Sequence, residues 1–161
     1  MKYLFLDIDG VLNHEMWYKD NIIFHKDKFK KWWESCFDPD CVDRLNNILR
    51  KTGARLVVSS SWRHDLDLKT YFETFNITTD FDITPSIHGA DRGEEIDLFL
   101  KNHPCDNYAI LDDDMDFTED QLKKHFVHCC ADLIQAFKEC HPGETGLTDR
   151  KMRETIKILN G

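Results

Sequence analysis

Two aspartates one residue apart, Asp7 and Asp9, stand where an apolar run (Tyr3-Leu4-Phe5-Leu6) ends. A carboxylate that attacks a phosphoryl group forms an acyl phosphate, which divides one hard displacement into two easier ones, and Asp7 is placed for that role. A second carboxylate can protonate the leaving oxygen and later take a proton from the attacking water, the role read for Asp9. Attack by an anion on a phosphate dianion needs their repulsion screened, and Mg²⁺ held by carboxylates and substrate oxygens does this. The acids are gathered for such an ion in Asp7/Asp9 and in Asp112/Asp113/Asp114/Asp116, with Asp7 and Asp113 the leading ligands. Ser59 is read as donating to a phosphoryl oxygen, and Arg92 as neutralising charge on the transferred group.

These residues must be brought together by the elements that precede them. Residues 3–8 read as a buried strand and 55–58 as a second, each running straight into polar residues. Between them Asp38 offers a helix N-cap and Pro39 a first helical position. Val42, Leu45, Ile48 and Leu49 then share one face, and Gly53 ends the helix. A helix through Leu68, Tyr71, Phe72 and Phe75 and a short strand at 81–83 follow. Asp91 with Glu94 reads as a capping box opening a helix, 108–111 as a strand, 118–125 as a helix capped by Thr118 and Gln121, and 126–129 as a last strand. A helix after Thr148 closes the chain.

This alternation predicts an α/β fold, a parallel sheet with helices on both faces. Ligands bind such sheets beyond the carboxyl ends of the strands. Asp7/Asp9, Ser59-Ser60-Ser61 and Asp112-Asp113 all fall at such ends, so three segments converge on one site. Residues 13–37 fit the scheme poorly and are read as a small flap or cap, rich in aromatics (Trp17, Tyr18, Phe24, Phe29, Trp32, Trp33) and lysines.

At 161 residues, 41% hydrophobic and 32% charged, the chain is expected to be one domain, 1–161, of a soluble globular protein. A net charge of -9 argues against broad attraction to nucleic acid but leaves room for a local basic groove. The amino-terminal apolar run meets Asp7 at once, and no stretch is long enough to span a membrane, so a cytoplasmic location is expected. With a core available, the six cysteines are expected to be thiols.

The motif Asp7-Ile8-Asp9-Gly10-Val11-Leu12 resembles the first motif of the haloacid dehalogenase superfamily of phosphatases. Val57-Val58-Ser59 is similar to the second, Arg92 stands where the third supplies a lysine or arginine, and Ile110-Leu111-Asp112-Asp113 resembles the double-aspartate form of the fourth. The resemblance covers residues 1 to about 116. It implies a Rossmann-like sheet, Asp7 as nucleophile, and Asp9 as acid/base whose backbone carbonyl joins Asp7 and Asp113 on Mg²⁺, with Asp112 beside them. Ser60 remains an alternative to Ser59, and Asp114 or Asp116 an alternative partner of the metal. More narrowly, Ser59-Ser60-Ser61-Trp62-Arg63, Arg92-Gly93-Glu94-Glu95-Ile96 and Gly146-Leu147-Thr148 look like the phosphatase-like domains of bacterial and viral RNA-repair proteins. That implies removal of a terminal phosphate from polynucleotide ends.

Each motif has a plainer reading. A lone acidic pair is often only a strand end, and it is the order of four motifs that argues otherwise. The acids at 112–116 lack the spacing of a calcium loop. Lysines and aromatics in the flap could stack single-stranded nucleic acid, but four acids there offset most of five lysines. His125, His128, Cys129, Cys130, Cys140 and His141 invite a zinc reading, against which no CxxC pair occurs. Trp62 and Arg63 are candidates for substrate binding, with pairing of Arg63 to an acid the alternative. Beyond a phosphatase of polynucleotide ends, the open functions are a metabolite or nucleotide phosphatase and, from another class, a phosphoacceptor or scaffold that does not turn over.

Overall fold

The computed structural model describes residues 1–23 and 32–161. Five strands form one parallel sheet in the order β3-β2-β1-β4-β5: β1 Lys2–Leu6, β2 Arg55–Val58, β3 Phe81–Ile83, β4 Asn107–Asp112 and β5 Phe126–His128. Every pairing is parallel, so each strand needs a crossover, and the helices supply it on both faces. This is the Rossmann-like α/β arrangement expected.

The helices are α1 Glu15–Trp17, α2 Pro39–Thr52, α3 Leu68–Thr74, α4 Arg92–Asn102, α5 Glu119–Lys124, α6 Leu133–Glu139 and α7 Asp149–Asn160. Local chemistry sets their ends. The Asp38 side chain accepts from the Asp40 amide, Pro39 occupies the first turn, and Gly53 closes α2 at φ 66°, where a side chain would be strained. Capping boxes open α4 (Asp91, Glu94) and α5 (Thr118, Gln121), and Thr148 caps α7. α6 and a 3₁₀ turn at Ser61–His64 are additions to the expected elements. Of the segment at 13–37, the expected flap, residues 24–31 lie outside those described, with Phe24, Lys26, Lys28, Phe29, Lys30 and Lys31 among them. No helix among the described residues is long and apolar enough to cross a membrane.

Strand alternation sends neighbouring β1 side chains to two cores. Leu4 and Leu6 join the larger, with residues of α2, α3 and α7, while Tyr3 and Phe5 join the smaller under α4. Both faces of β1 are thereby sealed, and Asp7 emerges at its end from the middle of the sheet.

The expectation that all six cysteines are thiols needs correction at one pair. The excursion through α6 returns Cys140 to Cys130, and the two form a disulfide. Ordering a core gives no warning of this, because the pairing depends on where a surface excursion comes back. Cys36, Cys41, Cys105 and Cys129 carry thiols.

Phe5 is fully buried, with the Phe99 ring 5.5 Å and the Tyr108 ring 5.8 Å away, both edge-on. Phe5→Ala is expected to lower unfolding free energy by about 3–5 kcal/mol in urea denaturation. A loss below ~1 kcal/mol would show that the smaller core does not hold β1.

Candidate active site

β1 carries Asp7 to the carboxyl edge of the sheet, where its amide donates to Leu111 O of β4 at 2.9 Å and the residue is 5% exposed. Burial pushes its carboxyl above the usual aspartate range. Arg92 opposes that shift: Nη1 lies 2.9 Å from Asp7 Oδ1 and 2.6 Å from Asp112 Oδ2. The Ser60 hydroxyl donates to the Asp7 carboxylate and accepts from the Trp62 amide at 3.3 Å. Ser59 points elsewhere; its hydroxyl is fully buried and meets no hydrogen-bond partner among the described residues. Of the two serines left open by the sequence, Ser60 is the one at Asp7.

Asp9 is exposed, and both of its oxygens are held. Asn13 Nδ2 donates to Oδ1 at 2.9 Å and the Trp62 indole to Oδ2 at 3.0 Å. Asn13 also accepts from the Gly10 amide at 3.1 Å, closing the turn that follows β1. Asn13 was not singled out by sequence reasoning, although a side-chain amide four residues beyond an aspartate in a glycine turn is a recognisable partner.

On β4, Asp112 spends one oxygen on Arg92 and the other on the Asp114 amide, at 3.0 Å. Burial, with the Asp7 charge beside it, pushes its carboxyl up to about 8. Asp113 is pushed up to about 7 by burial first and then by the charges of Asp7 and Asp114. A ligand atom from each of Asp7, Asp112 and Asp113 fits within a 4.8 Å cluster. Three clustered carboxylates against one guanidinium form an all-oxygen donor set deficient in positive charge, which fits a hard divalent cation such as Mg²⁺. Gly10 belongs to this fit: at φ 78° its Cβ would lie 2.6 Å from Asp113 Cγ, so only glycine lets the two segments approach. Asp116 sits behind Arg92, its carbonyl accepting from the Gly93 amide at 3.2 Å.

Arg63 lies in the wall of the site. Its side chain is 7% exposed, pairs with Glu95 at 2.8 Å, and donates to the carbonyls of Ser59 at 2.6 Å and Ser60 at 3.2 Å. The acid-pairing alternative describes what the geometry gives it, and Glu95, buried on α4, is a partner that sequence reasoning missed. Gln135 was also missed: from α6 its Nε2 donates to Asp113 O at 2.6 Å, alongside His128 Nε2 at 3.0 Å. No local pattern marks Gln135, since α6 itself was not expected. Cavities of about 920 and 880 Å³ lie elsewhere on the surface, lined by none of Asp7, Asp9, Asp112 or Asp113.

A family model described as "HAD domain in Swiss Army Knife RNA repair proteins" matches residues 3–133. No curated protein and no solved structure matches the chain.

The raised carboxyls make the chain's stability depend on pH. Asp112 and Asp113 keep protons that an unfolded aspartate loses at about 3.9. The stability this confers is complete below that value and is lost as pH rises through about 7 for Asp113 and about 8 for Asp112. Mg²⁺ bound to this cluster would replace the lost protons as counter-charge, so it is expected to raise Tm more at about pH 8.5 than at about pH 5.5. An equal shift at both pH values, in thermal melts with and without the ion, would place the cation elsewhere.

Proposed function

The chain belongs to the family of HAD domains in Swiss Army Knife RNA repair proteins, a membership that supports a HAD-type phosphatase in general, and from that premise we propose a magnesium-dependent phosphomonoesterase of polynucleotide ends. The observation that carries the chemistry is the pairing of a buried Asp7, held by Arg92 and Ser60, with an exposed Asp9 two residues on.

In the first step a carboxylate oxygen of Asp7 attacks phosphorus and the bond to the leaving oxygen breaks, giving an aspartyl phosphate. Asp9 gives its proton to the leaving oxygen. In the second step Asp9 takes a proton from water, which attacks phosphorus, releases inorganic phosphate and restores the Asp7 carboxylate. Arg92 already neutralises Asp7 and is positioned to share its remaining donors with the transferred group. Ser60 is the hydroxyl available to a phosphoryl oxygen. Asp7, Asp113 and the Asp9 carbonyl would hold Mg²⁺, which when bound would screen the repulsion between nucleophile and phosphate, while Asp112 holds Arg92.

The polynucleotide end is favoured over a small metabolite by the family description, and the exposure of Asp9 is compatible with a substrate that extends outward from the site. A phosphoacceptor that does not turn over has no use for Asp9.

Two measurements test this reading. Release of phosphate from 3′- and 5′-phosphorylated RNA and DNA oligonucleotides, nucleotides and sugar phosphates is expected to need Mg²⁺, to be fastest on an oligonucleotide end and to vanish in Asp7→Asn. A folded, Mg²⁺-binding protein that releases phosphate from none of them would overturn the phosphatase reading, while preference for a sugar phosphate would overturn only the substrate. Trp62→Phe keeps a ring in place but removes the donor to Asp9. Because a hydrogen bond to a charged group contributes about 1.5 kcal/mol, it is expected to slow single-turnover transfer from an alkyl phosphate about tenfold. Transfer from p-nitrophenyl phosphate, whose leaving group needs no proton, should change less; equal losses on both would deny Trp62 a role through the acid.

A further inference from the structure

The excursion between β5 and α7 carries a second cluster of metal-ligating side chains, on different residues from the carboxylates that surround Asp7. One ring nitrogen of His128 and the sulfurs of Cys130 and Cys140 fall within 4.8 Å of one another. A carboxylate joins them: Glu139 Oε2 lies 3.6 Å from His128 Nε2. Cys130 is fully buried, the His128 side chain 14% exposed and Glu139 45% exposed, so the cluster sits at the edge of the core with one side toward water.

The backbone spacing of the cysteines suits a shared ion. Their Cα atoms stand 7.1 Å apart, beyond the ~4.4–6.8 Å that disulfides usually span. Two sulfurs each about 2.3 Å from a tetrahedral ion stand about 3.8 Å apart, and so hold their backbones further apart than bonded sulfurs do. We propose that, with both cysteines reduced, Cys130, Cys140, His128 and Glu139 bind one Zn²⁺. Two thiolates, an imidazole and a carboxylate are a borderline-soft, four-coordinate set that selects zinc and has little use for Mg²⁺.

The ion has a structural task. α6 buries only Ala136, while Ile134 is 68% and Phe137 73% exposed, so apolar packing does little to hold this short helix. Cys130 precedes α6 and Cys140 ends it, and one ion on both closes the excursion onto β5. Closure matters to the first site because Gln135, between those cysteines, donates to Asp113 O. His128 Nε2 donates to that same carbonyl, but Gln135 remains at 2.6 Å if the imidazole turns to the metal, so ligation leaves no orphaned acceptor. His128, Cys130 and Cys140 are among the residues whose types invite a zinc reading, but their spacing follows no CxxC pattern: a histidine and a cysteine with one residue between them are joined by a cysteine ten residues on.

The disulfide and the ion exclude each other, so the test uses the full chain, fully reduced, with excess Mg²⁺ to occupy the carboxylates. Titration with Co²⁺, a spectroscopic stand-in for zinc, is expected to give one equivalent of tetrahedral absorption with a thiolate-to-cobalt charge-transfer band, bleached by stoichiometric Zn²⁺. Cys140→Ser and His128→Ala should each weaken or lose the band, whereas Asp113→Asn should keep it, which separates this site from the proposed phosphatase centre. Circular dichroism on each variant distinguishes a lost ligand from a lost fold, and His128→Asn serves as the milder replacement. Absence of the band in folded, reduced wild-type protein would overturn the proposal, and so would a band that survives Cys130→Ser with Cys140→Ser.

Discussion

The structure depends on a charge imbalance that the fold itself creates. Asp7 and Asp112 are both nearly removed from water, Asp113 is close beside them, and a single guanidinium, Arg92, lies between the first two. Burying a charge is costly unless it is paired, and pairing one cation with two carboxylates leaves the cluster short of positive charge. The chain meets the shortage by holding protons on Asp112 and Asp113 well above the ordinary aspartate range. A cluster that accepts protons so readily is also one that gains from a divalent cation. The same imbalance thus sets how stability responds to pH and is what a bound divalent cation would relieve.

Holding such a cluster takes rigid backbone on all sides. Val11 O of the turn after β1 accepts from the Leu147 amide at 2.9 Å, so Gly146-Leu147-Thr148 braces the segment that carries Asp7. Behind it the fully buried Lys151 donates to Gly146 O at 3.1 Å, and burial lowers its affinity for a proton. His14 links the Asp38 cap of α2, at 2.7 Å, to Thr145, at 2.8 Å. Gly146 must lack a side chain, since its Cβ would meet the His14 ring at 2.5 Å. Apart from Val11 the partners in these contacts lie outside the four motifs, and they explain how the last segment of the chain supports a site whose proposed reacting residues lie in the first 116.

The strands, their parallel order and the main helices were legible because each rests on local signals: apolar runs ending in acids, Asp38-Pro39 and Gly53 around α2, and the capping boxes at Asp91 and Thr118. Strand-end logic also gathered Asp7, Asp112, Asp113 and the serines, because in a parallel sheet every strand delivers its carboxyl end to one edge. What stayed hidden is set by side-chain direction or by return of the chain. Ser59 and Ser60 are equivalent as letters, and only the turn into the 3₁₀ segment aims Ser60 at Asp7 and leaves Ser59 in the core. Arg63 reads as a substrate-facing cation until Glu95 on α4 is seen to claim it. The pairing of Cys130 with Cys140 and the reach of Gln135 to Asp113 depend on α6, whose apolar residues face outward and so give no amphipathic pattern directed at a core.

The different surroundings of Asp7 and Asp9 bear on what the proposed site would accept. Asp7 is buried within the cluster, with Arg92 on one oxygen and the Ser60 hydroxyl beside it, while Asp9 is exposed and held by Asn13 and Trp62. On the proposed mechanism a phosphoryl group must reach Asp7 while its leaving oxygen stays beside Asp9. A terminal monoester can do this, because three of its oxygens are bare and turn toward Arg92, Ser60 and a metal ion, leaving only one substituent to be directed outward. A diester carries a second substituent that would have to replace one of those contacts within the buried cluster. On this geometry the proposed preference for chain ends over internal linkages needs no recognition of sequence or base. It would follow from how few directions remain open around a buried Asp7, and on this reading a substrate of high negative charge is compatible with a chain whose net charge is -9: the attraction that would count is local, at Arg92 and a bound metal, and acts on the phosphate alone.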